Sequence, residues 1–307
     1  MPTANFIVTS LPAYVEENRD LLLKNFGLVG GSIRGRIGIQ TGIKLKEHLN
    51  YLEVAPTLQD GSVCELDPAG DVTLTNREIE TAWIEALIAI CPKKLIGKWA
   101  EYLVRANANA ESLPFEQYII DGFIAEVNKK IDTLIFQGDK TLTTNPDLKW
   151  IDGFVKVFQT DGTQVTASAG ATTILAKLQE LYAGMDDYTL NRGAEIYVSP
   201  ANHRAFLMEL VNANLFHYPS AESGTFPKEF FIPGTDAKVV LTEGLAGVNN
   251  VALATFPDNM RYGCDMENDQ EDVAVKYDSI KELFYVKALW NSGVQVAFPG
   301  KAYWMSI

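Results

Sequence analysis

The sequence predicts an α+β fold in one continuous chain, and three observations point to it. Residues 114–137 carry one long amphipathic helical pattern, helices and strands alternate between residues 173 and 255, and the last third alternates like antiparallel strands. With 307 residues, 47% of them hydrophobic and 21% charged, the chain can bury a substantial core and lies outside the range of disordered or collagen-like sequences.

Taken in order, residues 14–25 form a short amphipathic helix that Gly27, Gly30 and Gly31 interrupt, and residues 1–31 read as an N-terminal arm. From 32 to 71 the text turns β-like, with pieces at 37–39 and 49–54 punctuated by Gly35, Gly38, Gly42, Pro56, Gly61, Pro68 and Gly70, as in a long projecting hairpin; the ribbon region is set at 32–76. Residues 77–91 fit either period: Ile79, Trp83 and Leu87 have helical spacing, yet the same stretch alternates as a strand. Pro92 opens a helix over 93–104 with Leu95, Ile96, Trp99 and Leu103 in one stripe.

The clearest element is the helix at 114–137, with Phe115, Tyr118, Ile119, Phe123, Val127, Ile131, Leu134 and Ile135 on one face and Gly138 as its stop. At 1.5 Å per residue it runs roughly 36 Å, long enough to serve as the backbone of a flattened subunit. A module follows with a helix at 173–182, a strand at 195–198, a helix at 200–211 and strands at 238–241 and 251–255. The ending alternates at 272–277, 282–289 and 293–298, and Tyr303 and Trp304 dock the terminus.

The balance of 26 Lys and Arg against 39 Asp and Glu leaves a net charge of −13, which opposes tight binding to a polyphosphate. Such a subunit can still line a vessel holding DNA, because a wall that does not grip the polymer lets it slide. Cys64, Cys91 and Cys264 are odd in number and far apart, which fits reduced thiols and neither a disulfide framework nor a zinc spacing. There is no secretory leader pattern and no apolar run of membrane-spanning length, so a soluble protein made in the cytosol is expected.

Four patterns invite a chemical reading, and each fails on its own terms. Gly30-Gly31-Ser32-Ile33-Arg34-Gly35-Arg36 lacks the lysine and hydroxyl residue of a phosphate loop and suits a hinge. Ser199 and His203 are spaced as nucleophile and base, yet no nucleophile elbow surrounds Ser199, which suits a helix cap before Pro200. Asp265, Glu267, Asp269, Glu271 and Asp272 gather acid, but Gln270 and Lys276 occupy positions where a calcium loop needs Gly and Glu. His48, His203 and His217 are too dispersed for a ligand set. No catalytic residue, metal site or cofactor is expected.

Particular stretches nevertheless carry a resemblance. Cys91-Pro92-Lys93-Lys94-Leu95 with Trp99, the helix end Leu134-Ile135-Phe136-Gln137-Gly138-Asp139, and Ile196-Tyr197-Val198-Ser199-Pro200 are three of them. Leu253-Ala254-Thr255 through Asn259 to Gly263-Cys264-Asp265, and Gly293-Val294-Gln295-Val296-Ala297, are the others. In that order they resemble the major capsid proteins of tailed double-stranded DNA bacteriophages with the Hong Kong 97-like fold, of the Bacteroidetes-phage type, over nearly the whole chain.

The resemblance implies an arm at 1–31, an extended hairpin loop at 32–76, a peripheral domain at 77–160 and 256–307 containing the spine helix, and an axial domain at 161–255. It implies a structural subunit without enzymatic activity that forms hexamers and pentamers of an icosahedral shell, the virion capsid, assembled in the bacterial host cytoplasm. The expected partners are other copies of itself, a separate scaffolding protein because so few residues precede the hairpin, a portal, and decoration proteins, with DNA enclosed without sequence-specific contact and no membrane. A projecting hairpin cannot bury both faces on its own body, so Ile37, Ile39, Leu45, Leu52 and Val54 are expected to lie over a neighbouring subunit, with Arg34, Arg36, Lys44 and Lys46 supplying charge complementarity. An encapsulin-like bacterial compartment is the second reading, and a hydrolase built on residues 173–255 around Ser199 is a remote third.

Overall fold

The computed structural model describes residues 36–58, 70–91, 115–214, 229–265 and 272–307. The helices expected at 14–25 and 93–104 lie outside the described residues. Helix α1, Phe115–Gln137, buries Ile120, Phe123, Ile124, Val127, Ile131, Leu134 and Ile135, a stripe that repeats every three to four residues. It stops at Gly138, whose amide still donates to the Leu134 carbonyl (2.9 Å) while the Gly138 carbonyl accepts from Gly153 (2.7 Å). That exchange folds the connection back into helix α2, Phe154–Asp161.

The face of α1 packs on a five-stranded sheet. Its long strand is Leu283–Val296, here β12, flanked by β4 (Ala82–Ile90), β10 (Met260–Gly263) and β11 (Asp272–Asp278), with β1 (Gly38–Gln40) parallel to β10. Phe284, Val286, Ala288 and Trp290 alternate toward the helix, as the two-residue period of a strand requires. Residues 282–289 and 293–298, expected as separate strands, are thus largely one strand that changes partner from β11 to β10 along its length. Residues 77–91 resolve as strand. Their helical spacing is overruled because Ala82–Ile90 pairs residue for residue with β12.

A second, six-stranded sheet has the order β5 (Thr163–Gln164), β13 (Tyr303–Ser306), β9 (Val251–Thr255), β6 (Glu195–Val198), β8 (Lys238–Leu241) and β7 (Glu229–Phe231). Its central strands β6 and β9 are buried along their whole length, and β6 connects to its parallel neighbour β8 through helix α5, Pro200–Asn212. Helix α3, Ile174–Ala183, capped by the Thr173 side chain, packs Leu178 and Leu181 into the same core as Phe206 and Leu210 of α5. The terminal strand β13 pairs antiparallel with β9. Its place is therefore in the six-stranded sheet, which corrects the grouping of residues 256–307 with the peripheral part. The reason is tertiary: nothing local in Tyr-Trp-Met-Ser selects between two sheets.

The two cores are joined where the turn Glu243–Leu245 meets α1. Gly244 approaches so closely that a Cβ there would lie 2.4 Å from the Asp132 carbonyl oxygen, and Gln137 donates to the carbonyls of Gly244 (2.6 Å) and Ala246 (2.9 Å).

Asp186, the N-cap of the short helix α4 (Asp187–Asn191), ties the C-terminal strand down. It accepts hydrogen bonds from Thr189 Oγ1 (2.6 Å) and Tyr303 Oη (3.0 Å) and pairs with Lys301. Burial pushes its carboxyl up, but the bonds from Lys301, Thr189 and Tyr303 outweigh that and hold it at about 2. A carboxylate depressed below its unfolded value stabilises the fold fully above that value and loses the contribution as pH falls through about 4 toward about 2. Asp186→Asn keeps a capping side chain and removes the charge. In urea titrations near neutral pH it is expected to lose about 1 to 2 kcal/mol, after allowance for solvent screening, and the difference from the parent should vanish near the acid end of that window.

Candidate self-association surface

The third sheet is a ribbon of β2 (Lys46–Pro56) and β3 (Gly70–Glu80), paired antiparallel and, among the described residues, part of neither larger sheet. Each strand has 11 residues, so the ribbon reaches roughly 35 Å. Its register sets Leu52 opposite Leu74 and Val54 opposite Val72, at positions of the same parity as the basal pairs Lys46 with Glu80 and His48 with Glu78. The hairpin expected within 32–71 therefore starts later and ends later. The piece at 37–39 was not a ribbon strand because β1 is pulled into the five-stranded sheet by pairing with β10.

The root of the ribbon is built from side chains of several elements. Ile43, Leu49 and Ile79 form a small buried cluster of their own. Thr81 separates β3 from β4 and donates its amide to the Leu45 carbonyl (2.8 Å), while Asn291 Nδ2 donates to the carbonyl of Ile43 (3.0 Å). Gly293 of β12 comes so near that a Cβ would stand 2.2 Å from the Glu80 carbonyl oxygen, so no larger residue fits without moving the ribbon. Charged groups surround this root: Lys46 pairs with Glu78 (2.9 Å), Lys140 with Glu80, and Arg77 with Asp161 (2.5 Å). Arg77 also donates to Gln295 Oε1 (2.9 Å). The Lys140 ammonium is the first cause that holds the Glu80 carboxyl below its usual range.

The residues that the sequence assigns to a subunit interface divide into two groups. Ile37 is buried in the core shared with α1, Ile39 packs against the same core, and Arg36 pairs with Glu195, whose carboxylate also accepts from Tyr197 Oη (2.9 Å). These three serve their own chain, because β1 belongs to the sheet, and the assignment is corrected for them. Leu45 is 68% exposed, Lys44 is exposed, and Lys46 sits in the basal ion pairs, while Leu52 and Val54 occupy the ribbon. Arg34 lies outside the described residues.

A second apolar surface escapes sequence reasoning. The face of the five-stranded sheet opposite α1 carries Trp83 (42% exposed) and Leu87 (56% exposed) beside half-buried Tyr285 and Leu289, with Glu85 and Lys287 paired across it at 2.9 Å. Its only signal in the sequence is that the 82–90 strand is apolar at both parities, which a helix reading also explains.

The candidate chemistry at Ser199 is used structurally. Ser199 Oγ donates to Asn249 Oδ1 (2.7 Å) and accepts from the Asn202 amide (3.3 Å) as the N-cap of α5, and the bond between Ser199 and His203 is the backbone one of a first helical turn (2.9 Å). His203 packs its ring on Phe230. Among the described residues no three His, Cys, Asp or Glu side chains gather as metal ligands; Glu267, Asp269, Glu271 and His217 lie outside them, as do Cys64 and residues 30–35. Cys91 is a free thiol, and Cys264 is buried.

No protein-family model and no curated protein matches the chain. Solved structures do. The satellite phage P4 procapsid, determined with its size determination (Sid) protein, superposes with a TM-score of 0.62 at 12% identity, covering 95% of this chain and 90% of that one. Gordonia phage Cozz gives 0.56 at 10% identity over 90% and 86%, and Microbacterium phage Oxtober96 gives 0.55 at 13% identity over 90% and 91%. The chain has the Hong Kong 97-like fold of tailed-phage capsid proteins.

Arg36 supplies a direct check on the corrected assignment. Arg36→Ala leaves Glu195 buried without its cation, so it should lower the unfolding free energy by about 3 kcal/mol in chemical denaturation, and Arg36→Ala with Glu195→Gln should recover a large part of that loss. An interface residue would show neither effect in the isolated subunit.

Proposed function

We propose that this chain is the major capsid protein of a tailed double-stranded DNA phage, a structural subunit that assembles with itself into hexamers and pentamers of an icosahedral shell. The observation that carries the reading is the ribbon. An isolated two-stranded sheet is marginal in water, so a ribbon of this length on a body with the capsid fold calls for a surface outside its own chain. The apolar pairs Leu52 with Leu74 and Val54 with Val72 and the exposed Leu45 are its contact residues, with Lys44 and Lys46 adding charge; Arg34 belongs with them by sequence. The bare sheet face around Trp83 and Leu87 is the surface of the neighbouring copy that receives it, since exposed apolar patches of this kind mark interaction sites.

Scaffolding, portal and decoration proteins are the further partners of such a subunit, and its location is the virion capsid, assembled in the host cytoplasm. The net charge of −13 suits a wall that encloses DNA without sequence-specific contact. No described helix is long and apolar enough to cross a membrane. The matched structures named above are phage particles, which favours a phage shell over an encapsulin-like compartment.

Electron microscopy of the purified protein tests the proposal: closed shells or capsomers are expected, and a monomer at high concentration would refute it. Leu87→Asp tests the receiving face. Because Leu87 is exposed, the isolated subunit should keep its stability within about 0.5 kcal/mol, whereas the concentration needed for assembly should rise about tenfold or more in sedimentation velocity. Unchanged assembly would place that face outside the shell contacts.

A further inference from the structure

The root of the ribbon holds more charge than its packing needs. The apolar cluster of Ile43, Leu49 and Ile79 fixes where the ribbon is attached, but apolar contact is non-directional and does not define the angle at which the strands leave the body. Two ion pairs do. Glu80 reaches Lys140 in the connection that follows α1, and Arg77 reaches Asp161, the last residue of α2. Both pairs tie the base of β3 to the body.

We propose that the pairs Glu80 with Lys140 and Arg77 with Asp161 form a clamp that sets the angle of the ribbon to the body, and that screening them frees the ribbon while both larger sheets stay folded. On one side of the root an open space of about 370 Å³ is lined by Lys46, Glu78, Glu80, Lys140, Thr160 and Asp161. That space gives the ribbon room to tilt and gives dissolved ions access to the charges. The side chains are partly exposed, 48% and 37% in the first pair and 18% and 36% in the second. Pairs of this kind contribute little to global stability and weaken as salt rises, which are the properties of a releasable clamp. Covalent continuity through Thr81 and the Thr81 to Leu45 hydrogen bond remain as the pivot.

The test uses the full-length chain kept below its assembly concentration, so its outcome is independent of whether the protein builds shells. Nitroxide labels on unnatural keto side chains at positions 58 and 129 report the ribbon against α1, and a second pair at 129 and 204 reports the body alone; all three positions are exposed. Pulsed electron spin resonance at about 0.05 M NaCl should give one narrow 58–129 distance distribution in the parent. Lys140→Gln with Asp161→Asn, or the parent at about 1 M NaCl, should broaden it about twofold and leave the 129–204 distribution unchanged. Exchanging the charges, Arg77→Asp with Asp161→Arg, should restore a narrow distribution. An unbroadened 58–129 distribution in the double variant, equal broadening of both label pairs, or no rescue by the exchange would each overturn the clamp.

Discussion

Two antiparallel strands that belong to neither larger sheet among the described residues stand out from the body, and the junction that carries them is the constraint on which much of the rest depends. The strands β2 and β3 satisfy each other's backbone groups along eleven pairs, and at the root Leu49 and Ile79 are buried with Ile43. The same body presents Trp83 and Leu87 on a sheet face that no described helix covers. Exposed apolar surface of this kind marks an interaction site.

The body has to bear the ribbon without yielding. Strand β3 runs through Thr81 into β4, which pairs along its length with β12, so a load on the ribbon passes into the sheet that α1 backs. Gly293 permits the close approach that makes this junction, and Asn291 satisfies the carbonyls of Ile43 and Lys44 where the chain turns out of the body. The six-stranded sheet is fastened to the same frame by the contact of Gly244 with α1 and by the packing of Phe154 and Phe158. Asp186 completes the arrangement by holding the last strand through Lys301 and Tyr303.

Much of this was legible in the residues. The α1 stripe, the helix after Thr173, the strand Glu195–Val198 followed by Ser199 and Pro200, and the strands Lys238–Leu241 and Val251–Thr255 lie where the periodicity sets them. The short elements α2, α4, β5 and β7 were not readable, because two to eight residues carry too little period to stand above their neighbours. Of the proposed contact residues, Leu45 reads correctly as exposed, whereas Ile37 and Arg36 do not differ from it in kind: an isoleucine beside glycines and an arginine in an acidic chain look the same whether they meet a neighbour or Glu195 and α1.

By itself, then, the sequence determined the local elements and their order, since helix stripes, caps and strand alternation depend on residues a few positions apart. It also carried the resemblance that named the fold. Tertiary structure alone decided that 82–90 is a strand, that β12 changes partners without breaking, that the C-terminal strand joins the second sheet, and that Arg36, Ile37 and Ile39 are engaged by their own chain. Each of those outcomes is a pairing between residues far apart in the chain, and a pairing is chosen by the free energy of two surfaces meeting, which neither surface records alone.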